Sequence, residues 1–237
     1  MDPTGIEALV FDVFGTCVDW RGSIAREARR WNQRFGLKVD GAALADAWRA
    51  RYQPSMEQVR SGRRGFVALD VLHRESLDAL AARFGLERLS EAQLAWINKV
   101  WHRLDPWPDT VPGLRQLRSR YLLAPLSNGG VALLTRMARR AGLPWDLILS
   151  GELFGAYKPQ AEVYLGAARL LDLPPTRVMM VAAHNGDLAA AAALGLKTAF
   201  IPRPTEYGPG QSSDLLPSAD WDIVVEDMEG LAIALGC

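Results

Sequence analysis

Two hydrophobic patterns alternate along the chain. Beyond residue 120, short apolar runs recur at YLLAPLS, LILS, VMMVAA, TAFI and DIVV, and each predicts a strand. Between them, GVALLTRMARRAGL, PQAEVYLGAARLLDL and GDLAAAAALGL place apolar residues three and four apart, which predicts helices. Strand and helix in alternation predict an α/β fold with a parallel sheet covered on both faces. The run ALVFDVF near the start predicts a further strand of that sheet. The segment 20–102 interrupts the scheme, because it contains no strand-like run. Its pieces SIAREARRWNQRFGL, GAALADAWRARYQPSMEQV, GFVALDVLHRESLDALAARFGL and SEAQLAWINKVWHRL all carry helical spacing. The expected organisation is therefore a core of residues 1–19 and 103–237 with a helical insertion at 20–102. The exit LDPWPDTVPGL, rich in proline and aspartate, predicts a hinge-like linker back into the core.

Composition narrows the function classes. Lys and Arg together number 27 and are balanced by 27 Asp and Glu, so no basic footprint for nucleic acid or an anionic membrane is present. A small-molecule substrate is the expected partner. The opening MDPTGIEALVF lacks a basic stretch followed by a long apolar one, and no apolar run reaches spanning length, so a cytoplasmic protein is expected. Cys17 and Cys237 are too few for a disulfide framework or a zinc site, and Cys17 is expected to serve packing.

In open parallel sheets, ligands bind beyond the carboxyl ends of the strands. Those ends carry Asp12, Gly15 and Thr16 after the first strand, Ser127 and Asn128 in PLSNGG, and His184, Asn185 and Asp187 in VAAHNGD, while Lys158 precedes a helix in GAYKPQ. Singly, each has an ordinary role: Asp12 a turn acid, Ser127 and Asn128 helix-entry residues, Asp187 a helix-start acid, His184 a packed imidazole. Together they converge polar groups on one rim, which solvation alone explains poorly. His73 and His102, in the insertion, are expected to be structural or exposed.

This pattern resembles the haloacid dehalogenase superfamily and, within it, the L-2-haloacid dehalogenases. FDVFGT is similar to the first motif with nucleophilic Asp12, LSN to the second, Lys158 to the third and AAHNGD to the fourth; KPQAEVY adds the spacing to Tyr164, and Arg49 in AWRARYQ is similar to the cap arginine. The resemblance implies a Rossmann-like core with a helical cap inserted after the first strand. It also implies hydrolysis of short 2-haloalkanoic acids through an ester on Asp12, with inversion and with no cofactor or metal. In that scheme Lys158 keeps Asp12 ionised, and Arg49 and Asn128 cradle the halide. Ser127 helps hold the substrate carboxylate, Thr16 supplies a donor, Asp187 orients, and His184 activates water. Phe14, Tyr164 and Asn185 complete the substrate-binding group, and a homodimer is expected.

The alternative is a magnesium-dependent phosphatase, which wants a second aspartate two positions after the nucleophile as proton donor and metal ligand. Phe14 stands there, and AAHNGD offers a single acid, Asp187. Halide leaves as a stable anion and needs neither device, whereas an apolar residue at 14 keeps water from the attacked carbon. Ala182, His184 and Gly186 depart from the serine, asparagine and bulky aromatic common in the family. Gly186 implies a roomier site, and a histidine near the leaving group makes fluoroacetate a candidate substrate. A binding protein without activity is the remaining class, opposed by intact Asp12, Lys158 and Asp187. The eight tryptophans suggest either a dimer surface or a bulky core.

Overall fold

The computed structural model describes residues 5–237, so the first four residues of the expected core segment 1–19 lie outside the described residues. The central strand β1 (Ala8–Phe11) is buried along its whole length, as expected of an apolar run covered on both faces. It pairs in parallel with β4 (Leu122–Ser127) on one side and β6 (Val178–Ala182) on the other. With β5 (Leu149–Ser150), β7 (Lys197–Phe200) and β8 (Ile223–Val224), these form a six-stranded parallel sheet of order β5-β4-β1-β6-β7-β8. The predicted α/β class is thus observed.

Side chains alternating along β1 feed two separate cores. Leu9 and Phe11 join the cluster that includes Leu114 and Leu117 of α6 (Thr110–Leu117), Leu134 and Met137 of α7 (Val131–Ala141), and Leu231 of α10 (Met228–Ala234). Val10 faces the other way, onto Val163 and Ala167 of α8 (Ala161–Leu170) and Leu188 and Ala191 of α9 (Asn185–Ala193). The two-residue period of the strand and the 3.6-residue period of the helices therefore meet on both faces.

Between β1 and β4 the chain makes a two-residue antiparallel ribbon, β2 (Val18–Asp19) with β3 (Asp105–Pro106). The regular elements between these strands are all helical: α1 (Trp20–Phe35), α2 (Gly41–Ala50), α3 (Tyr52–Arg60), α4 (Leu69–Phe84), α5 (Glu91–Asn98) and a 3-10 turn over Lys99–His102. Local signals set the boundaries. The Asp40 side chain accepts from the Ala42 and Ala43 amides to start α2, and Ser90 with Gln93 forms a capping box on α5.

The structure refines three local readings. GAALADAWRARYQPSMEQV forms two helices that meet at Arg51, because Pro54 lacks an N–H and its ring would clash with the Ala50 carbonyl in a continuous helix. Within LDPWPDTVPGL only the first part is a linker, since Thr110 already begins α6. His73 and His102 are both buried, 2% and 3% exposed, so neither is a surface residue. His102 Nε2 lies 2.9 Å from both carboxylate oxygens of Asp70, while His73 stacks on Trp101 at 4.1 Å and is pushed down to a pKa of about 3 by burial. Trp20, Trp31, Trp48 and Trp101 are fully buried, which assigns them to packing. Cys17 is likewise buried, and burial pushes its thiol pKa up. No helix among the described residues is long and apolar enough to cross a membrane.

Candidate active site

Asp12 follows β1 directly, and its N–H donates to the Val181 carbonyl at 3.0 Å, so its position is fixed by the sheet. The residue is only 7% exposed. Its Oδ1 accepts from Lys158 Nζ at 3.0 Å, and its Oδ2 accepts from the Thr16 hydroxyl at 2.8 Å. His184 Nδ1 stands 3.1 Å from the same Oδ2. Burial alone would raise the Asp12 pKa, but Lys158 and His184 outweigh it and hold the carboxyl well below its usual range. The side chain is therefore an ionised, nearly dehydrated carboxylate.

Lys158 reaches across from the segment before α8. Its Nζ also donates to Asp187 Oδ2 at 2.5 Å, and the Asn128 Oδ1 anchors the Lys158 backbone N–H at 2.7 Å. Burial opposes its charge, yet Asp12 and Asp187 together raise its pKa, so the ammonium persists. Asp187, in the first turn of α9, is raised by burial and by the like charge of Asp12, with Lys158 opposing; Tyr164 OH donates to its Oδ1 at 2.5 Å. Thr16 does two things at once, since its hydroxyl oxygen accepts the Ala183 N–H at 2.9 Å while donating to Asp12.

A cavity of about 680 Å³ opens over this cluster. Asp12, Phe14, Arg49, Asn128, Lys158, Tyr164, His184 and Asp187 line it, so most residues singled out in the sequence share one space. Arg49 hangs over it from α2, with its guanidinium 4.2 Å from the Tyr52 ring centroid. Its Nη1 is buried and has no hydrogen-bond partner among the described residues. As a lining residue, Arg49 brings a guanidinium to the cavity, and a guanidinium in such a place is a ready anion donor. Phe14 presents an edge to Trp101 (5.6 Å) and Tyr52 (6.3 Å), closing the apolar side of the cavity. Gly186 adds no bulk, and a β-carbon there would meet nothing within 4 Å.

Two expected site residues are placed elsewhere. Ser127 is fully buried, and its hydroxyl accepts the Gly129 N–H at 3.1 Å, shaping the turn after β4. Asn185 turns outward: its Nδ2 donates to Asp214 Oδ1 and the Leu216 carbonyl, and its Oδ1 accepts from the Ser218 N–H and Trp221 Nε1. It fastens the segment after β7 to the start of α9.

Glu206 was not legible in the sequence. It is 1% exposed, its Oε2 lies 2.8 Å from His184 Nε2, and its Oε1 accepts Trp20 Nε1 at 2.9 Å. It sits in IPRPTEYGPG, a segment without hydrophobic period or motif spacing, and only its arrival beside His184 distinguishes it from a surface acid. Burial alone would lower the His184 pKa, but Glu206 and Asp12 raise it well above its usual value.

The chain is 31% identical over 216 residues to (S)-2-haloacid dehalogenase 1 of Pseudomonas sp. (strain CBS-3), covering 87% of this chain and 89% of that one. It superposes on the solved L-2-haloacid dehalogenase PA0810 with a TM-score of 0.94 at 54% identity, covering 97% of this chain and 98% of that one. The solved defluorinating L-2-haloacid dehalogenase Rha0230 matches with a TM-score of 0.95 at 48% identity, over 98% and 96% of the two chains. A sequence profile of haloacid dehalogenase-like hydrolases matches residues 6–195, and the chain belongs to that family.

Proposed function

We propose that this protein hydrolyses the carbon–halogen bond of short 2-haloalkanoic acids, haloacetates and L-2-halopropionate among them, to the 2-hydroxy acids. The observation that carries the proposal is the pairing of Asp12 with Lys158 in a cavity that Phe14 and Tyr52 line beside the charged and amide groups of Arg49, Asn128 and His184. Asp12 attacks the halogen-bearing carbon from the side opposite the halide, inverting it and forming an ester. Arg49 and Asn128 receive the halide, and the place of both side chains in the cavity lining supports that role. Residues 20–102 act as a cap that closes this site against the core of residues 1–19 and 103–237.

Water then attacks the Asp12 ester carbon. In-line displacement sends the halide away from Asp12, whereas His184 touches Asp12, so His184 serves the ester rather than the halide. Neutral His184 takes a proton from the water. Collapse of the adduct restores the Asp12 carboxylate and releases the hydroxy acid, with one net proton passing to solvent. Thr16 and Lys158 supply donors to the carboxylate oxygens through both steps. Fluoroacetate falls within this proposal, supported by the likeness to a defluorinating enzyme. A homodimer is proposed as the working state.

A magnesium ion, required by a phosphatase, does not fit these donors. Phe14 supplies no oxygen, and Asp12 Oδ1 and Asp187 Oδ2 are both turned onto the Lys158 ammonium. The test is halide release from 2-chloropropionate and fluoroacetate with a chelator present, beside phosphate release from an aryl phosphate with magnesium. Chelator-resistant halide release that disappears in Asp12→Asn is expected. Magnesium-dependent phosphate release without halide release would overturn the proposal.

A further inference from the structure

We propose that Glu206 is a positioning residue of the ester-hydrolysis step, holding the His184 ring in place through Nε2 and setting the pH at which its Nδ1 becomes available to water. The assignment rests on the hydrolytic function proposed above, and it concerns a residue outside every motif that pointed to that function.

The geometry is a three-member line, Asp12 Oδ2 to His184 Nδ1 at 3.1 Å and His184 Nε2 to Glu206 Oε2 at 2.8 Å. An imidazole bonded at both ring nitrogens has one orientation, and the nitrogen facing Asp12 is then Nδ1. Space for the glutamate is made at Gly15, whose φ is +94°, because a β-carbon there would overlap the Glu206 carboxylate. Trp20 Nε1 donates to Glu206 Oε1 from the first turn of α1, and Arg49 Nη2 of α2 approaches the same oxygen at 3.9 Å. The carboxylate is thereby clamped between the helical segment and the sheet.

Electrostatics give this clamp a function. The charged groups around His184 are Asp12 after β1, Asp187 on α9, Lys158 bonded to both, Glu206 with its neighbour Arg49, and Asp214 on the adjoining Asn185. In the resting site two carboxylates face the ring, and His184 is an imidazolium. Forming the ester on Asp12 removes one of those charges, so the Nδ1 proton leaves to solvent and Nδ1 becomes a base. Glu206 remains and keeps Nε2 protonated, so the proton that departs is the one on the water side. When water attacks, Nδ1 takes up its proton. The ester C–O bond then breaks and the proton of the new carboxyl passes to the alkoxide, which regenerates the carboxylate and imidazolium.

The nearly isosteric variant Glu206→Gln separates this role from packing. In a single turnover with excess enzyme, the halide burst is expected to persist while ester hydrolysis slows about 100-fold, so that mass spectrometry finds the adduct on Asp12. The acid limb of hydrolysis is expected to move down by about 1–3 pH units, since an anion that stabilised imidazolium is gone. Ring-nitrogen NMR gives a readout independent of activity, because the chain has only three histidines; His184 is expected to lose its proton at lower pH in the variant. Unchanged hydrolysis with an unchanged His184 titration, or a lowered melting temperature alone, would overturn the assignment. Absence of halide release from the unmutated enzyme would instead overturn the function on which it rests.

Discussion

Arg60 on α3 donates from Nη1 to the backbone carbonyl of Lys158 at 3.1 Å, linking the helical segment to the residue whose ammonium binds Asp12. The same guanidinium bonds the Gln53 side chain at 3.0 Å and pairs with Glu57 at 3.0 Å, so it arrives already aimed. A hydrogen bond from a charged donor contributes about 1.5–3 kcal/mol. Arg60→Ala is therefore expected to raise KM for haloacids by about 10-fold or more, with a smaller change in kcat. Steady-state kinetics check this, and an unchanged KM would remove Arg60 from closure of the site.

Lys158 carries a large electrostatic load, because its one ammonium pairs with two buried carboxylates. Lys158→Met is expected to abolish halide release at neutral pH and to cost about 3–5 kcal/mol of stability, the usual consequence of leaving buried charge unpaired. The sign with pH follows from Asp12. A depressed pKa contributes stability that is present above the unfolded value of 3.8 and is lost as pH falls through the folded value. The gap between wild type and variant is thus widest near neutrality and narrows in acid. Denaturant titrations at both ends measure it.

His184 predicts the opposite dependence. Its folded pKa is raised above the model-compound 6.5, so its contribution is complete below that value and declines as pH rises through the folded one. In His184→Gln the melting temperature is expected to fall relative to wild type near pH 6, and the difference should shrink in alkali. A difference that grows with pH would contradict the ion-pair arrangement with Asp12 and Glu206.

Gly186 leaves open space on the cavity wall. Gly186→Phe is expected to retain haloacetate turnover while lowering kcat/KM for longer 2-haloalkanoates by about 10-fold or more, the range in which pocket methylenes discriminate. Comparing a two-carbon with a four-carbon substrate tests it. Equal losses on both would place the ring in the path of chemistry rather than of the chain.

Much of the site was legible because the sheet converts order along the chain into position. Asp12, Lys158 and Asp187 lie 146 and 29 residues apart, yet each follows a strand or opens a helix on one rim, so reading the strand ends found them. Phe14 was legible as an absence of carboxylate, although the edge-on contacts with Tyr52, His73 and Trp101 that make it part of the packing were not. Ser127 and Asn185 show the limit of motif spacing. Both stand at the correct strand ends, but their side chains satisfy backbone groups and a neighbouring loop instead of facing the cavity.

Periodicity and the spacing of strand-end acids and bases, both local properties of the chain, were enough to set the α/β class and the helical segment after the first strand, and to bring Asp12 and Lys158 to one rim. The partner of His184 depended on the path of an irregular segment across the sheet. No local period encodes where such a segment lands, and a glutamate there differs from a solvated one only through the room left by Gly15 and the donor on Trp20. Those are contacts between residues nearly two hundred positions apart, which packing alone brings together.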